Sequence, residues 1–298
     1  MSPSSARGGL VAVWGRGLVP YDEPILAADD LGVTRGDGCF DATRVVTGAD
    51  GVARADHLPA HLDRLAASAA ALDIDAPDRD AWLRLLDELL GAWHVPGEAV
   101  LKLVLTRGRE GAPGRPTAYA TLVHRGVPAR DPGSFAARSG IAVVTLSKGH
   151  PSDAFANAPW LLGGVKTLSY AVNAAAQREA ARRGADDVLF VTTDGYCLDG
   201  PTSGLVVVDG DRLRTTPTGA TGLLGSVSVE AIVAAAQADG MDARYELIPV
   251  ADLPAAEGVW LVSSGRGPAP VVRLDGAPRE IEEGLRRRMS RWAGFDAP

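Results

Sequence analysis

Apolar residues recur along this chain at two spacings, and the spacing changes wherever Gly, Pro and Asp gather. Residues 10–14 and 18–19 are short apolar runs on either side of Gly15-Arg16-Gly17. That tripeptide reads as a hairpin, because the rest of a dinucleotide-binding glycine pattern is missing. A strand is expected over 39–46, closed by the turn Thr47-Gly48-Ala49-Asp50-Gly51. Leu58, Leu62, Leu65 and Leu72 share one face of a helix over 57–72. Trp82, Leu85, Leu86, Leu89, Leu90 and Trp93 do the same over 80–93. With strands expected at 100–106 and 118–124, residues 1–125 read as an α+β domain.

A Pro-, Gly- and Arg-rich stretch without periodicity, 126–140, is the expected interdomain linker. Beyond it the pattern predicts a strand at 141–146, an irregular loop to residue 165, and a helix over 168–183. Gly184 stops that helix, since glycine takes the left-handed conformation a helix end uses. Strands at 188–192 and 205–208, a helix at 229–238, strands at 243–248 and 259–263, and a charged helix at 279–292 follow. Residues 141–298 therefore read as an α/β domain, and the fold class expected is two-domain α/β (α+β) without internal repeats.

The 298 residues, 46 % of them hydrophobic, are enough to bury a sizeable core. No apolar run approaches the roughly 20 residues that cross a bilayer. The first residues lead into no signal-peptide apolar segment, so no membrane association and a cytoplasmic location are expected. A net charge of −7, with no basic stripe to neutralise phosphates, argues against a nucleic-acid binder and for small-molecule or protein partners. Cys39 and Cys197 lack CxxC spacing or a neighbouring thiol, so neither a disulfide nor a zinc site is expected. His57, His61, His94, His124 and His150 show no metal spacing and no Ser/His/Asp order; they read as structural or solvated.

Lysine is scarce: of 30 Lys and Arg residues, only Lys102, Lys148 and Lys166 are lysine. Arginine replaces lysine as a surface cation, but its guanidinium stays protonated and cannot serve as a Schiff-base nucleophile. Lys166 follows Gly163-Gly164-Val165 and precedes a helix-like run, in a small-residue setting suited to lowering an amine's pKa by desolvation.

Several segments together resemble the class IV aminotransferases over about residues 10–275. They are Gly36-Asp37-Gly38-Cys39-Phe40, His61-Leu62-Asp63-Arg64-Leu65, Lys166 to Tyr170 with Asn173, the stretch ending in Asp199-Gly200, and the turn 223–228. That family of pyridoxal phosphate enzymes includes branched-chain aminotransferases, D-amino-acid transaminases, (R)-amine transaminases and 4-amino-4-deoxychorismate lyases. The resemblance implies fold type IV, a homodimer, and pyridoxal 5'-phosphate as cofactor. It implies that Lys166 forms the Schiff base with the cofactor and then moves the substrate α-proton. It gives Arg64 a contact with the cofactor phosphate. Tyr170, expected on the same helical face one turn after Lys166, is similar to the tyrosine that reaches the phenolic oxygen. Asp199 stands where a carboxylate holds the ring nitrogen. Leu223, Gly225, Ser226, Val227 and Ser264 fall in the phosphate-binding positions. Arg107, in Thr106-Arg107-Gly108, is the candidate for a substrate carboxylate.

Three positions depart from the family pattern. Asp199 replaces a glutamate and is one methylene shorter. Leu224-Gly225-Ser226-Val227-Ser228 replaces Pro-Gly-x-Thr, leaving Ser226 or Ser228 to supply the hydroxyl. Gly204 stands where asparagine is usual. The implied activity is transamination of D-amino acids or (R)-amines, with relaxed carboxylate recognition and a keto acid acceptor. The alternative is a 4-amino-4-deoxychorismate lyase releasing pyruvate and 4-aminobenzoate, which residues 36–40 and 102–108 resemble most. A second alternative is a degenerate, non-catalytic cofactor-binding protein, motivated by Asp199 and the altered phosphate turn.

Overall fold

The computed structural model of the chain describes residues 9–112, 114–124 and 136–295. It divides into two compact units. One takes Met1–Asp131 with Val165–Ser169, the other Pro132–Gly164 with Tyr170–Pro298. Most of the expected linker, 126–140, lies outside the described residues.

The first unit contains β1 (Gly9–Val13), β2 (Gly17–Val19), α1 (Leu31–Thr34), β3 (Gly38–Thr47), β4 (Ala53–Ala55), α2 (Leu58–Ala71), α3 (Arg79–Gly91), β5 (Gly97–Thr106) and β6 (Thr117–His124). Its strands form one antiparallel sheet in the order β2-β1-β6-β5-β3-β4. Alternation puts Leu101, Leu103 and Leu105 of β5 on one face with Ala120 and Leu122 of β6. Leu62 and Leu65 of α2, with Trp82, Leu86 and Leu89 of α3, cover that face. Each large side chain buried there contributes roughly 1.5–3 kcal/mol, which explains why its helical period was so plain in the sequence. The Asp78 carboxylate caps α3 by accepting from Ala81 N at 2.7 Å.

β4 pairs only with residues 45–47 of β3 and leaves the beginning of that strand's outer edge uncovered. Residues 166–168 fill it. Phe40 N donates to Lys166 O at 3.0 Å, Leu168 N donates to Gly38 O at 2.9 Å, and Thr167 bridges Cys39 in antiparallel fashion. Unpaired edge groups demand partners, so these bonds hold 165–169 on the first unit. The sequence reading gave this segment to the second domain and began a helix at 168; the helix begins instead at Ala171.

The second unit contains α4 (Ala136–Ser139), β7 (Ile141–Ser147), α5 (Ala171–Arg182), β8 (Asp187–Val191), β9 (Gly204–Asp209), β10 (Arg212–Thr215), α6 (Val227–Ala238), β11 (Asp242–Tyr245), β12 (Gly258–Ser263), β13 (Gly267–Leu274), β14 (Ala277–Pro278) and α7 (Glu283–Trp292). Its mixed sheet runs β11-β10-β9-β12-β13-β7-β8, with β14 paired to β13. Both faces of β9 are covered: Val206 and Val208 pack with Ile232 of α6 and Met289 of α7, while Leu205 and Val207 pack with Ile248 and Leu253. A strand buried on both faces reads as a continuous apolar run. The sequence reading missed β13, whose Pro268 and Pro270 argue against a strand. Those prolines lie where β12 alone flanks it, since β7 pairs only from Val271 onward. It also missed β10, whose Arg212 and Arg214 hide the alternation. α5 ends as expected: Gly184 sits at φ +70°, and Ala185 N reaches back to Ala180 O at 2.9 Å. The last helix starts at Glu283, not 279, because Arg279 N bonds Val272 O beside β13. Among the described residues no helix is long and apolar enough to cross a membrane.

A Cβ at Gly38 would lie 2.5 Å from Leu105 O and 2.7 Å from Leu168 Cδ1. Gly38→Ala is therefore expected to loosen residues 166–168. Hydrogen exchange should show the Leu168 amide at least about 10-fold less protected while the amides of α3 keep their protection. Unchanged Leu168 exchange would refute the edge pairing as the anchor.

Candidate active site

The chain approaches Lys166 through two glycines with different jobs. In the second unit, a side chain at Gly163 would collide with Phe155 and with Gly222 Cα, at 2.7 and 2.9 Å, while Gly164 holds φ +78°. Lys166 itself is fixed through its backbone, with its N–H donating to Ser68 Oγ of α2 at 3.2 Å and its carbonyl accepting from Phe40. Its ammonium lies 4.6 Å from the centroid of the Phe40 ring, and the Lys102 ammonium lies 5.6 Å from the same centroid. Residues 166–168 pair as an edge strand, so the helical turn expected to join Lys166 to Tyr170 is not formed. Tyr170 is the residue that opens α5.

Arg64 projects from α2 onto Asp41, which is fully buried on β3. Arg64 Nε donates to Asp41 Oδ2 at 2.8 Å and Nη2 to Oδ1 at 2.7 Å. His61 Nδ1 lies 2.7 Å from Oδ1, and Ala42 N donates to the same oxygen at 2.7 Å. A carboxylate only accepts, so His61 carries its hydrogen on Nδ1. Burial alone would raise the Asp41 carboxyl. The Arg64 and His61 hydrogen bonds outweigh it and hold the group down to about 2. Arg64 is a candidate by resemblance, and its partners Asp41 and His61 carry no such mark. The signal was there in a polar residue at an inward position of a strand and a His–Arg pair at helical spacing.

Arg107 is occupied within the protein. Nε and Nη2 donate to the two oxygens of Asp37 at 2.6 and 3.1 Å, Nη2 also to Leu72 O at 2.7 Å, and Nη1 to Asp73 O at 3.0 Å. This side chain clamps the end of α2 to the Gly36-Asp37-Gly38 turn. The geometry gives it a structural task beside the expected contact with a substrate carboxylate.

In the second unit a cavity of about 490 Å³ is lined by Asp199, Gly204, Leu223, Gly225, Ser226 and Glu230, among others. Asp199 is placed by backbone pairing, its carbonyl accepting from Phe190 N at 2.9 Å. Ser226 caps α6 by accepting from Val229 N at 3.3 Å. Ser228 Oγ and Ser264 Oγ are 2.8 Å apart, which joins two of the candidate hydroxyls, whereas Val227 turns into the protein and is buried. A Cβ at Gly204 would stand 2.8 Å from Val229 Cγ2 and 3.3 Å from Ser226 Cβ, so the close approach of α6 excludes an asparagine there. Lys148, which sequence reasoning left without a role, places its ammonium 3.9 Å from the Phe190 ring centroid. Burial lowers its pKa, and the charge of Asp199 partly offsets this.

The Asp41 carboxyl sits below its ordinary 3.8 in the folded protein, so its contribution to stability is complete above about pH 4 and is lost as pH falls towards about 2. The loss amounts to about 2 kcal/mol. Denaturant unfolding across that window should show a slope that is shallower in Asp41→Asn. Identical slopes would contradict the assignment.

The sequence profile of amino-transferase class IV matches residues 38–274. A bifunctional aminodeoxychorismate lyase / D-amino acid transaminase of Mycobacterium tuberculosis is 42 % identical over 261 residues, covering 85 % of this chain and 87 % of that protein. A fold IV-transaminase from Curtobacterium pusillum is similar in structure, with a TM-score of 0.86 and 36 % identity, over 96 % of this chain and 97 % of that one. A hypothetical aminotransferase from Mycobacterium tuberculosis in its PLP-bound form has a TM-score of 0.87 and 38 % identity over the same shares. Most of the chain lies inside that profile and nearly all of it inside those folds, so it belongs to the amino-transferase class IV family and has its fold type IV architecture.

Proposed function

We propose that this enzyme is a pyridoxal phosphate-dependent transaminase acting on D-amino acids or (R)-amines, with a keto acid as acceptor. The observation that carries the reading is Lys166: one of three lysines, backbone-locked on the edge of β3, in the stretch whose resemblance to the family implies the Schiff-base amine. The donor set suits the cofactor's polar groups. Arg64 offers a guanidinium, and the start of α6 offers backbone N–H groups with Ser226 and the Ser228–Ser264 pair. Asp199 offers a carboxylate in the same cavity as Ser226 and Gly225. The altered phosphate turn thus keeps its donors, and nothing at these positions favours a non-catalytic protein.

When bound, pyridoxal phosphate supplies an aldehyde that condenses with amines and a ring that delocalises the electron pair left by the departing α-proton. Lys166 Nζ would be the amine that holds the cofactor and, when free and neutral, the base that moves the substrate α-proton. Asp199 would keep a proton on the ring nitrogen, and Tyr170 would meet the phenolic oxygen. In the second unit Gly225, Ser226 and Ser264 would offer donors to a phosphate, with Leu223 and Val227 shaping that turn, and in the first unit Arg64 would offer its guanidinium. With Arg107 bonded to Asp37, carboxylate recognition is relaxed, which supports amines and small D-amino acids as donors. A homodimer and a cytoplasmic location belong to the same reading. A second reading, the lyase that releases pyruvate and 4-aminobenzoate, is supported by the two activities in the name of the 42 % identical relative.

Incubation with D-alanine, L-alanine and aminodeoxychorismate, following the cofactor spectrum and pyruvate, separates the two. D-alanine should change the spectrum, and no response to any D-amino acid or (R)-amine would sink the transaminase reading. Lys166→Ala should lose the visible cofactor band and at least about 10³-fold in turnover.

Glu230 is exposed in the first turn of α6, with Oε1 3.3 Å from the position of a Cβ on Gly225. Its charge opposes an anion at that turn, so Glu230→Gln should tighten inorganic phosphate binding by about 2- to 5-fold, within the range of an exposed charge interaction. Calorimetric titration with phosphate would read this, and weaker binding would count against the turn as a phosphate site.

A further inference from the structure

We propose that Asp41 and His61 are positioning residues, a buried pair that sets the Arg64 guanidinium for the cofactor phosphate. The inference rests on the reading of Arg64 given above and extends it to two residues with no assigned task.

Asp41 lies on the core face of β3 with Cys39 and opposite Leu103, where every other consideration favours an apolar side chain. A wholly buried carboxylate costs more in desolvation than an apolar residue of similar size, so its retention calls for a use. Its two bonds to Arg64, from Nε and from Nη2, fix both the tilt and the rotation of the guanidinium plane and turn the Nη1 edge away from Asp41. An arginine without that fork samples many rotamers, and ordering it then weakens whatever it binds. His61 acts one step further back. It is 1 % exposed and keeps Nε2 buried without a hydrogen-bond partner, a cost an apolar residue would avoid. What histidine provides is the Nδ1–H that holds Asp41 Oδ1 at 2.7 Å. The negative charge of Asp41 also weakens the pull of Arg64 on an anion, so the two effects oppose each other and the sign of a mutation decides between them.

The test uses the full chain freed of cofactor, titrated with pyridoxal phosphate and, separately, with pyridoxal, which has the same aldehyde and no phosphate. Visible absorbance reports both. Asp41→Asn should raise the Kd for pyridoxal phosphate about 10-fold and leave that for pyridoxal within about 2-fold, the scale of one charge-assisted hydrogen bond. His61→Phe should do the same about 3-fold, and it carries the test if Asp41→Asn does not fold. Equal changes for both ligands would reveal a merely structural role. Tighter phosphate binding would show that charge neutralisation dominates. Either result overturns the proposal. Arg64→Ala separates this from the underlying reading. If it leaves pyridoxal phosphate affinity unchanged, the role of Arg64 fails. If it weakens that affinity while Asp41→Asn does not, only the positioning role fails.

Discussion

The pairing of residues 166–168 with the open edge of β3 is the constraint on which the candidate chemistry depends. Two backbone hydrogen bonds, which together form the Cys39–Thr167 bridge, give the Lys166 backbone the precision of a sheet rung, while the torsions of its side chain lie outside that pairing. That division suits an amine that must be held in place, displaced and brought back. It also explains the small residues on both sides of the contact. Gly38 admits the Leu168 side chain at the strand's edge, and Gly163 and Gly164 let the preceding chain pass Phe155 and turn. A loop would carry the amine with less accuracy, and a helix would fix it at one orientation relative to its neighbours.

The departures from the family pattern form a connected set. Gly204 is where it is because Val229 and Ser226 at the start of α6 crowd the position an asparagine would fill. Ser226 in turn caps the helix that contributes the N-terminal N–H groups, and Ser228 of the first turn meets Ser264. Glycine at 204 thus leaves room for the start of α6 against β9. A substitution judged alone as a loss can be part of a compensated exchange.

Much of the first unit was legible because one sheet face and two helices share one core, so Leu62, Leu65, Leu86 and Leu89 fall at the helical spacing that burial requires. The second unit was less legible where chemistry obscures pattern. Prolines in β13 and arginines in β10 are tolerated by neighbours that the sequence does not reveal. The start of α5 was misjudged because helix propensity over 168–170 competes with a long-range edge pairing, and only the fold says that the edge is open. The candidate roles of Lys166, Arg64 and Asp199 rest on the resemblance, which no periodicity supplies. Asp41 and His61 act through other side chains, and Lys148 owes its setting to Phe190, a contact between residues 42 positions apart in the chain. Of these partners only His61 stands at a fixed spacing, three residues before Arg64, while Asp41 and Phe190 meet theirs across the fold.

The scarcity of lysine has a physical counterpart in how the two cations are used. Arginines in this protein take tasks that need a plane with several donors. Arg64 forks Asp41, Arg107 joins Asp37 to two carbonyls, Arg266 links Asp187 to Leu261 O, and Arg279 binds the carbonyls of Leu253 and Ala256. Each lysine instead sets a single charge over a phenylalanine, with Lys102 and Lys166 beside Phe40 and Lys148 beside Phe190. A ring face stabilises a compact ammonium without fixing its orientation, whereas a planar fork of donors demands one. For Lys166 the Phe40 ring is a resting place that leaves the direction of its N–H groups open.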